Sequence, residues 1–434
     1  MRIARIKLSG RDKLTEPAKL DASSIAILSS RFLLDLSPTS SLARKYEEDQ
    51  IRSHMRNLYS VSSDRQTIAS GSSSEPVVAE ASAQLMHSNL EDSPLPFMDT
   101  WALLVEFVDR GLLPQGTVGE LLGRVLSIFA MDRAIESTPV KRDLKYQTPV
   151  KVVDYYKALL TDEAWEVVRV SQPANRSNLT LETKSKTFEE AFADAYFHFS
   201  HYGKASDDIA IQDCYGWAAW LRGTAILCQL NQMRTDRALP IAFSGPGEAI
   251  SPQTTSMELA QDKTSPAEDP ATTAVQSAEI LNIFTKGQKL PYIATVHCYG
   301  ITTREGVVAP RLPQKGLRDN EEDEAAPRYQ IDFRGLSAYR GLTEPMKIDI
   351  HRMIDGSKNA LFNNHPRADG LPLVRQMLPL LNAHPSATAW FTEGDEIQPG
   401  SGQGPAPPVG GQSMADAKSK GRGKAKRKKK AKSG

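Results

Sequence analysis

The spacing of apolar residues changes partway along this chain, and that change constrains the fold more than any other feature. Between about residues 99 and 232 apolar residues recur every three or four positions, as on one face of a helix. Leu121, Leu122, Val125, Ile128 and Phe129 share one face of a helix expected over Val118–Arg133. From Ala238 onward the pattern shortens into β-like runs at Ala238–Phe243, Met257–Thr264, Leu290–His297 and Arg328–Phe333, with turn-rich loops between them. Helical patterns return at Lys347–Phe362 and Pro372–Leu381. Helices, then strands, then helices predict an α+β or α/β fold, with a helical N-terminal half packed on a mixed sheet. Other helices are expected at Ser24–Leu36, Glu75–His87, Asp99–Arg110, Pro149–Val170, Phe188–Tyr202, Asp213–Gln232 and Ala274–Phe284.

Composition divides the chain. Residues 1–60 read as an N-terminal segment. Residues 61–97, rich in Ser, Ala and Glu and closing on Ser93-Pro-Leu-Pro96, read as a flexible linker. Residues 98–392 read as the globular core, and 393–434 as a disordered basic tail. The tail sets the charge balance. Lys418–Lys432 holds ten Lys/Arg and no acid, which leaves 43 basic against 52 acidic residues elsewhere, about −9. An acidic body with a basic tail does not grip nucleic acid over its whole surface. The tail instead suits nuclear import through an import receptor, or non-specific phosphate contact; a solvated tail on a cytoplasmic protein is the alternative. No run approaches the 18 apolar residues of a membrane span, so no membrane partner is expected. Three cysteines in 434 residues are no disulfide framework and fit a reducing compartment.

One spacing carries chemistry. Asp236 opens the first β-like run, and the next ends Gln261-Asp-Lys263. As neighbouring strands, these bring Asp236, Gln261 and Lys263 to one sheet edge, with Gln261 and Lys263 on one face and Asp262 on the other. Phosphodiester hydrolysis with Mg²⁺ needs oxygen ligands and a group that balances charge on the phosphate and the attacking water. Asp236 would be the main ligand, the Gln261 carbonyl a neutral one, and Lys263 the cation beside the nucleophile. Glu120, near a helix N-terminus, is the expected third ligand. A polar strand end and a helix cap are the structural alternatives.

The blocks Leu221-Arg-Gly-Thr-Ala225, Thr235-Asp-Arg-Ala-Leu-Pro240 and Ala368-Asp-Gly-Leu-Pro372 resemble a family of uncharacterised proteins from mushroom-forming fungi. The likeness runs from about residue 97 to 392, with a weaker match at 1–60. In that family a Gly-Glu-Leu helix precedes an Arg-Gly helix, an Asp, an apolar strand and a strand ending Gln-x-Lys. By position these fall on Glu120, Asp236, Gln261 and Lys263. The resemblance implies a restriction-endonuclease-like (PD-(D/E)XK) core and a nuclease acting on nucleic acid, or a shortened copy that has lost activity. A non-catalytic nuclear scaffold that contacts nucleic acid through its tail is the rival from a different class. His198 and His201, three apart on an expected helix, make a weaker zinc pair, because packed aromatic residues surround them.

Overall fold

The computed structural model describes residues 1–9, 19–37, 40–63, 68–88, 99–113, 117–138, 143–175, 178–205, 214–229, 234–244, 247–265, 281–285, 288–309 and 325–359. The helices expected at Pro372–Leu381 and over most of Ala274–Phe284, and the basic tail, lie outside these residues.

Five long helices dominate the N-terminal part. They are α1 (Arg2–Ser9), α2 (Ala22–Phe32), α3 (Ser41–Ser53), α4 (Pro76–His87) and α5 (Thr100–Asp109). The first has no first-turn acid. The second starts on a capping box, in which Asp21 accepts from the Ser24 amide and Ser24 accepts from the Asp21 amide. Between α3 and α4 a two-stranded antiparallel hairpin forms, β1 (Asn57–Val61) with β2 (Ile68–Gly71). The linker reading of 61–97 is therefore corrected. It contains β2 and α4, and α4 buries Val78, Ala79, Ala81, Ala83, Leu85 and Met86. Small Ala and Ser side chains look linker-like in composition, but here they let α4 pack closely on α1 and α2. Ser82 donates to the Ile27 carbonyl across that contact (2.6 Å).

The 19-residue α6 (Val118–Glu136) is the central helix and is buried on nearly every side. Beyond it come β3 (Val150–Lys151), α7 (Val152–Leu159), α8 (Asp162–Arg169), α9 (Leu181–Ser185) and α10 (Phe188–Ala191). The single helix expected over 149–170 is split. Leu160 is extended and Thr161 caps a new helix through the Ala164 amide.

The helix expected at Phe188–Tyr202 stops at Ala191, and the chain continues as β4 (Ala195–Phe197) and β5 (His201–Lys204). Its Tyr, Phe and His residues fit a pleated, buried surface better than a helix face. The helix expected at Asp213–Gln232 is α11 (Tyr215–Leu221), ended by Gly223 at φ +59°, with β6 (Thr224–Leu227) after it.

The expected strands form with small shifts: β7 (Arg237–Phe243), β8 (Thr255–Lys263), β9 (Tyr292–Cys298) and β11 (Arg328–Arg334), joined by the short β10 (Gly306–Val308). The last helix, α12, is Glu344–Asn359. Among the described residues there are 12 α-helices, mostly N-terminal, and a mixed sheet of nine strands. The sheet runs β10-β11-β9-β8-β7-β4-β3, with β6 also on β7 and β5 on β6. Strands β8, β9 and β11 are mutually parallel, and β7 is antiparallel to β8. These central strands are buried almost throughout, as expected where both faces are covered.

Leu239, Ile241, Ile293, Ile331 and Phe333 pack with α6 and α7 in the larger core. On the opposite face Ala238, Met257, Leu259 and Val296 pack with Ala219 of α11. No helix among the described residues is long and apolar enough to cross a membrane.

Candidate functional site

Strand β8 lies directly beside β7, the arrangement expected for Asp236, Gln261 and Lys263. Arg237 pairs with Ala260 and Ala238 with Leu259, so the register sets Asp236 opposite Gln261. Side chains alternate along a strand. Asp236, Gln261 and Lys263 therefore fall on the α11-covered face, and Arg237 and Asp262 on the α6-covered face.

Asp236 is held at three points. Its amide donates to the Ala260 carbonyl (2.9 Å), and its carbonyl accepts from the Cys228 amide (2.9 Å). Its Oδ2 accepts from the Asp262 amide (2.7 Å). The main-chain carbonyl is taken by β6, so the carboxylate serves as the acceptor for β8. Burial and then the nearby Asp262 charge push the half-buried Asp236 carboxyl up to about 6.

Glu120 stands in the first turn of α6, at the end of β8. The helix comes close there because residue 119 is glycine. A Cβ at Gly119 would stand 2.9 Å from Thr264 Cγ2. Burial first, helped by the charges of Asp236 and Asp262 and opposed by Arg124 and Lys204, raises Glu120 to about 7. Lys204, at the end of β5, and Lys263 supply the opposing positive charge that reaches Glu120 and Asp236 respectively. The structure thus brings Glu120, Asp236, Gln261 and Lys263 to one end of the sheet, from helix α6 and strands β7 and β8. This is the end where β5, β6, β8 and β9 finish, the common binding edge of open sheets.

Behind this edge lies a network that the sequence did not reveal. Arg237 donates to Asp262 from Nε (2.6 Å) and Nη2 (3.0 Å), with both side chains fully buried. Arg237 Nη1 reaches Ser127 Oγ (2.8 Å) and Tyr202 Oη (3.3 Å), and Tyr299 Oη donates to Asp262 Oδ1 (2.8 Å). Nearby Glu258 accepts from Tyr156 Oη (2.9 Å) and Thr295 Oγ1 (3.2 Å). Gly123 makes room for the pair: a Cβ there would lie 2.5 Å from Arg237 Nε. The signal in the sequence was an Arg directly after Asp236 and an Asp between Gln261 and Lys263, but only the strand register turns those neighbours into partners.

The weaker histidine reading is corrected. His198 follows β4 and His201 opens β5, so they do not share a helix face. His198 is engaged by the Trp220 (2.7 Å) and Gln147 (3.1 Å) carbonyls, and His201 by Ser74 Oγ (3.0 Å) and Ser200 Oγ (3.2 Å). Burial lowers His201 to about 3, so it stays neutral. Among the described residues no group of three or more His, Cys, Asp or Glu side chains is placed to hold a metal ion. The set considered above, two carboxylates and a carboxamide, is outside that count.

Residues 14–149 match a family described as a domain of unknown function, DUF8736. The match takes in Glu120 and stops short of Asp236, Gln261 and Lys263. It also runs across both boundaries read from composition, in keeping with the burial of α4. No curated protein and no solved structure matches the chain.

Proposed function

We propose that this chain is a divalent-cation-dependent nuclease with a restriction-endonuclease-like core, of the kind the fungal resemblance implies. The observation that carries the reading is the meeting of Glu120 and Asp236. They come from different elements, and Asp236 is one of the charges that raise Glu120 toward neutral pH. Two partly desolvated carboxyls at one sheet end, each with its pKa raised mainly by burial despite nearby cations, suit a site that takes a metal ion. The topology agrees: a helix bearing Glu120, an antiparallel pair bearing Asp236 and Gln261-x-Lys263, and a parallel strand beside it.

The donor set fits Mg²⁺ or Mn²⁺, which take carboxylate and carbonyl oxygens. Glu120 and Asp236 Oδ1 would hold the ion, with the Gln261 side-chain oxygen as a neutral ligand. When bound, the ion supplies charge neutralisation at the phosphate and lowers the pKa of water. Lys263 sits at the strand end, where its ammonium balances the charge that builds as water oxygen bonds phosphorus and the P–O ester bond breaks. The leaving oxygen departs with a proton.

The test is cleavage of labelled single- and double-stranded DNA with and without Mg²⁺. Asp236→Ala should abolish cleavage. Lys263→Ala should slow it with cation binding intact, and Gln261→Glu should tighten the cation. An unmodified protein that cuts neither strand form in Mg²⁺ or Mn²⁺ overturns the reading.

One observation favours the non-catalytic scaffold: Asp236 Oδ2 is already used by the Asp262 amide. In that case Gln261→Glu changes neither cation binding nor cleavage. Nuclear import through Lys418–Lys432 belongs to both readings. A fluorescent fusion ending at Gln412 should lose the nuclear enrichment of the full chain, and equal enrichment would remove the tail as the signal.

A further inference from the structure

A groove of about 660 Å³ opens beside the candidate site, between the β1–β2 hairpin, the β5–β6 pair and α11. That volume is in the range of sites that take small organic groups. Its lining includes Tyr59, Gly71, Ser72, Lys204, Tyr215 and Arg222.

One end of the groove lies toward the carboxylates. Lys204 lines it and is also among the charges acting on Glu120. The backbone gives the same path. The Ala205 amide donates to the Leu227 carbonyl (2.9 Å), and the next step of the ladder is the Cys228 amide to the Asp236 carbonyl (2.9 Å). The end of β5 is thus two strand spacings from Asp236, about 10 Å.

Tyr59 has the setting of a stacking surface. It is 66% exposed, although it lies in a strand. One side of its ring rests over Gly71: a Cβ there would stand 2.7 Å from the Tyr59 hydroxyl and 2.9 Å from a ring carbon. Glycine is what allows the hydroxyl end of the ring to come this close to the hairpin, while most of the side chain stays exposed. Two cations line the same groove. Lys204 Nζ pairs with Asp35 (2.9 Å) and Arg222 with Glu75 (3.7 Å), and all four side chains are more than a third exposed. Arg222 also donates to the Ser74 carbonyl, and Asp35 lines the groove beside Lys204, so a phosphate would have to displace these partners; exposed pairs of this kind exchange partners at little cost.

We propose that this groove receives single-stranded nucleic acid, with a base stacked on Tyr59 and phosphates met by Lys204 and Arg222, and feeds the strand to the Glu120–Asp236 edge. The inference rests on the nuclease reading for the second clause and on the groove alone for the first. A duplex keeps its base faces inside its own stack, where Tyr59 does not reach them; an unpaired strand offers them.

The experiment is fluorescence anisotropy of the full chain with a labelled 12-nucleotide single-stranded DNA, the same sequence as RNA, and the DNA duplex. EDTA prevents cleavage. Salt near 0.3 M suppresses the salt-sensitive contribution of the basic tail, which is in any case common to all variants. We expect the single strands to bind about tenfold tighter than the duplex, and the DNA and RNA arms to show which sugar is preferred. Tyr59→Ala should cost about tenfold, and Tyr59→Phe should restore binding, because the ring and not the hydroxyl stacks. Gly71→Ala should weaken binding by lifting the ring, with the fold intact by circular dichroism. Lys204→Ala and Arg222→Ala should each weaken binding and flatten its salt dependence. Leu181→Ala, on an exposed helix elsewhere, should change nothing. A duplex bound as tightly as the single strand, or Tyr59→Ala binding as well as the unmodified chain, overturns the proposal. Cleavage in Mg²⁺ is scored separately: duplex cutting without single-strand binding refutes the groove and spares the nuclease, whereas single-strand binding without any cutting refutes the nuclease.

Discussion

Asp236 and Arg237 are neighbours in sequence and meet opposite environments. On the α6 side, Arg237 and Asp262 form a buried pair in which the fold supplies partners: two bonds between them, and Ser127, Tyr202 and Tyr299 around them. Asp236, on the α11-covered face, and Glu120, on α6, stand at the same end of the sheet, and burial first, then other acids, raises their carboxyls to about 6 and 7. The first arrangement is complete as soon as the chain folds. In the second, Arg124 and Lys204 near Glu120, and Lys263 and Arg237 near Asp236, offset the upward shift from burial without cancelling it. Buried charge that the fold completes is structural, and buried charge that it leaves short of partners points to something outside the chain.

The largest expected effect lies on the complete side. Asp262→Ala strands the buried Arg237 guanidinium and should lower the unfolding free energy in urea by about 3–5 kcal/mol. The double change Arg237→Met with Asp262→Leu should cost much less, because no unpaired charge remains. A cost below about 1 kcal/mol for Asp262→Ala would break the comparison at its structural end.

Two glycines on α6 sharpen it. Gly123→Ala drives a methyl group to 2.5 Å from Arg237 Nε in a filled network and should destabilise by about 1–3 kcal/mol. Gly119→Ala brings a methyl group to 2.9 Å from Thr264 Cγ2 and only into ordinary contact with the Asp262 backbone, and alanine favours the helix. It should stay within about 0.5 kcal/mol of the unmodified protein. Equal costs at the two positions would mean that the two faces are equally tight.

The fold class was legible in the sequence, because the change of period at Ala238 marks where helices give way to sheet. The central strands formed within a few residues of expectation, since their apolar runs are continuous and their turns rich in Gly and Pro. The placement of Asp236 opposite Gln261 on adjoining strands was also legible, from the spacing of two neighbouring apolar runs. The electrostatic coupling of Asp236 with Glu120 was not, because it depends on how deeply α6 is seated, and two glycines set that. The aromatic stretch Tyr196–Phe199 misled, since a dense run of rings satisfies a helix face and a pleated strand alike. The helix at Glu75–His87 formed as α4, but its place in the core was missed, because composition reports polarity and says nothing of close packing.

The pH dependence of stability should separate the two kinds of acid. Asp236 and Glu120 have folded pKa values above their unfolded ones, so the folded state binds protons more readily there. In EDTA, the contribution of these two acids to stability should therefore rise as pH falls from 8 toward 5, by on the order of 1–2 kcal/mol after allowing for solvent screening. Glu258, raised to about 6 by burial, adds to the same slope, so the informative quantity is what Asp236→Asn and Glu120→Gln remove from it. Asp132 has the opposite sign. Burial works against its ionisation, but Arg31 (2.6 Å) and His87 (2.8 Å) hold it down to about 2. Its contribution is present above about pH 4 and is lost as pH falls through 2. The buried His201 and His297, both lowered to about 3, act with the opposite sign below about pH 6.5, so the test is the difference between variants. Urea melts across pH 5–8 with a slope unchanged in both neutral variants would contradict the account of the Asp236 edge.

Calorimetric titration with Mn²⁺ at pH 7.5 tests the central claim most directly, because it asks whether the unfinished side of the comparison binds a cation. The account predicts binding to the unmodified chain with release of protons from the raised carboxyls, weakening as pH drops through 7 to 6. Asp236→Asn, which keeps an oxygen to accept from the Asp262 amide, should abolish the binding while leaving the fold intact. No Mn²⁺ binding by the unmodified chain, or equal binding by Asp236→Asn, would contradict it.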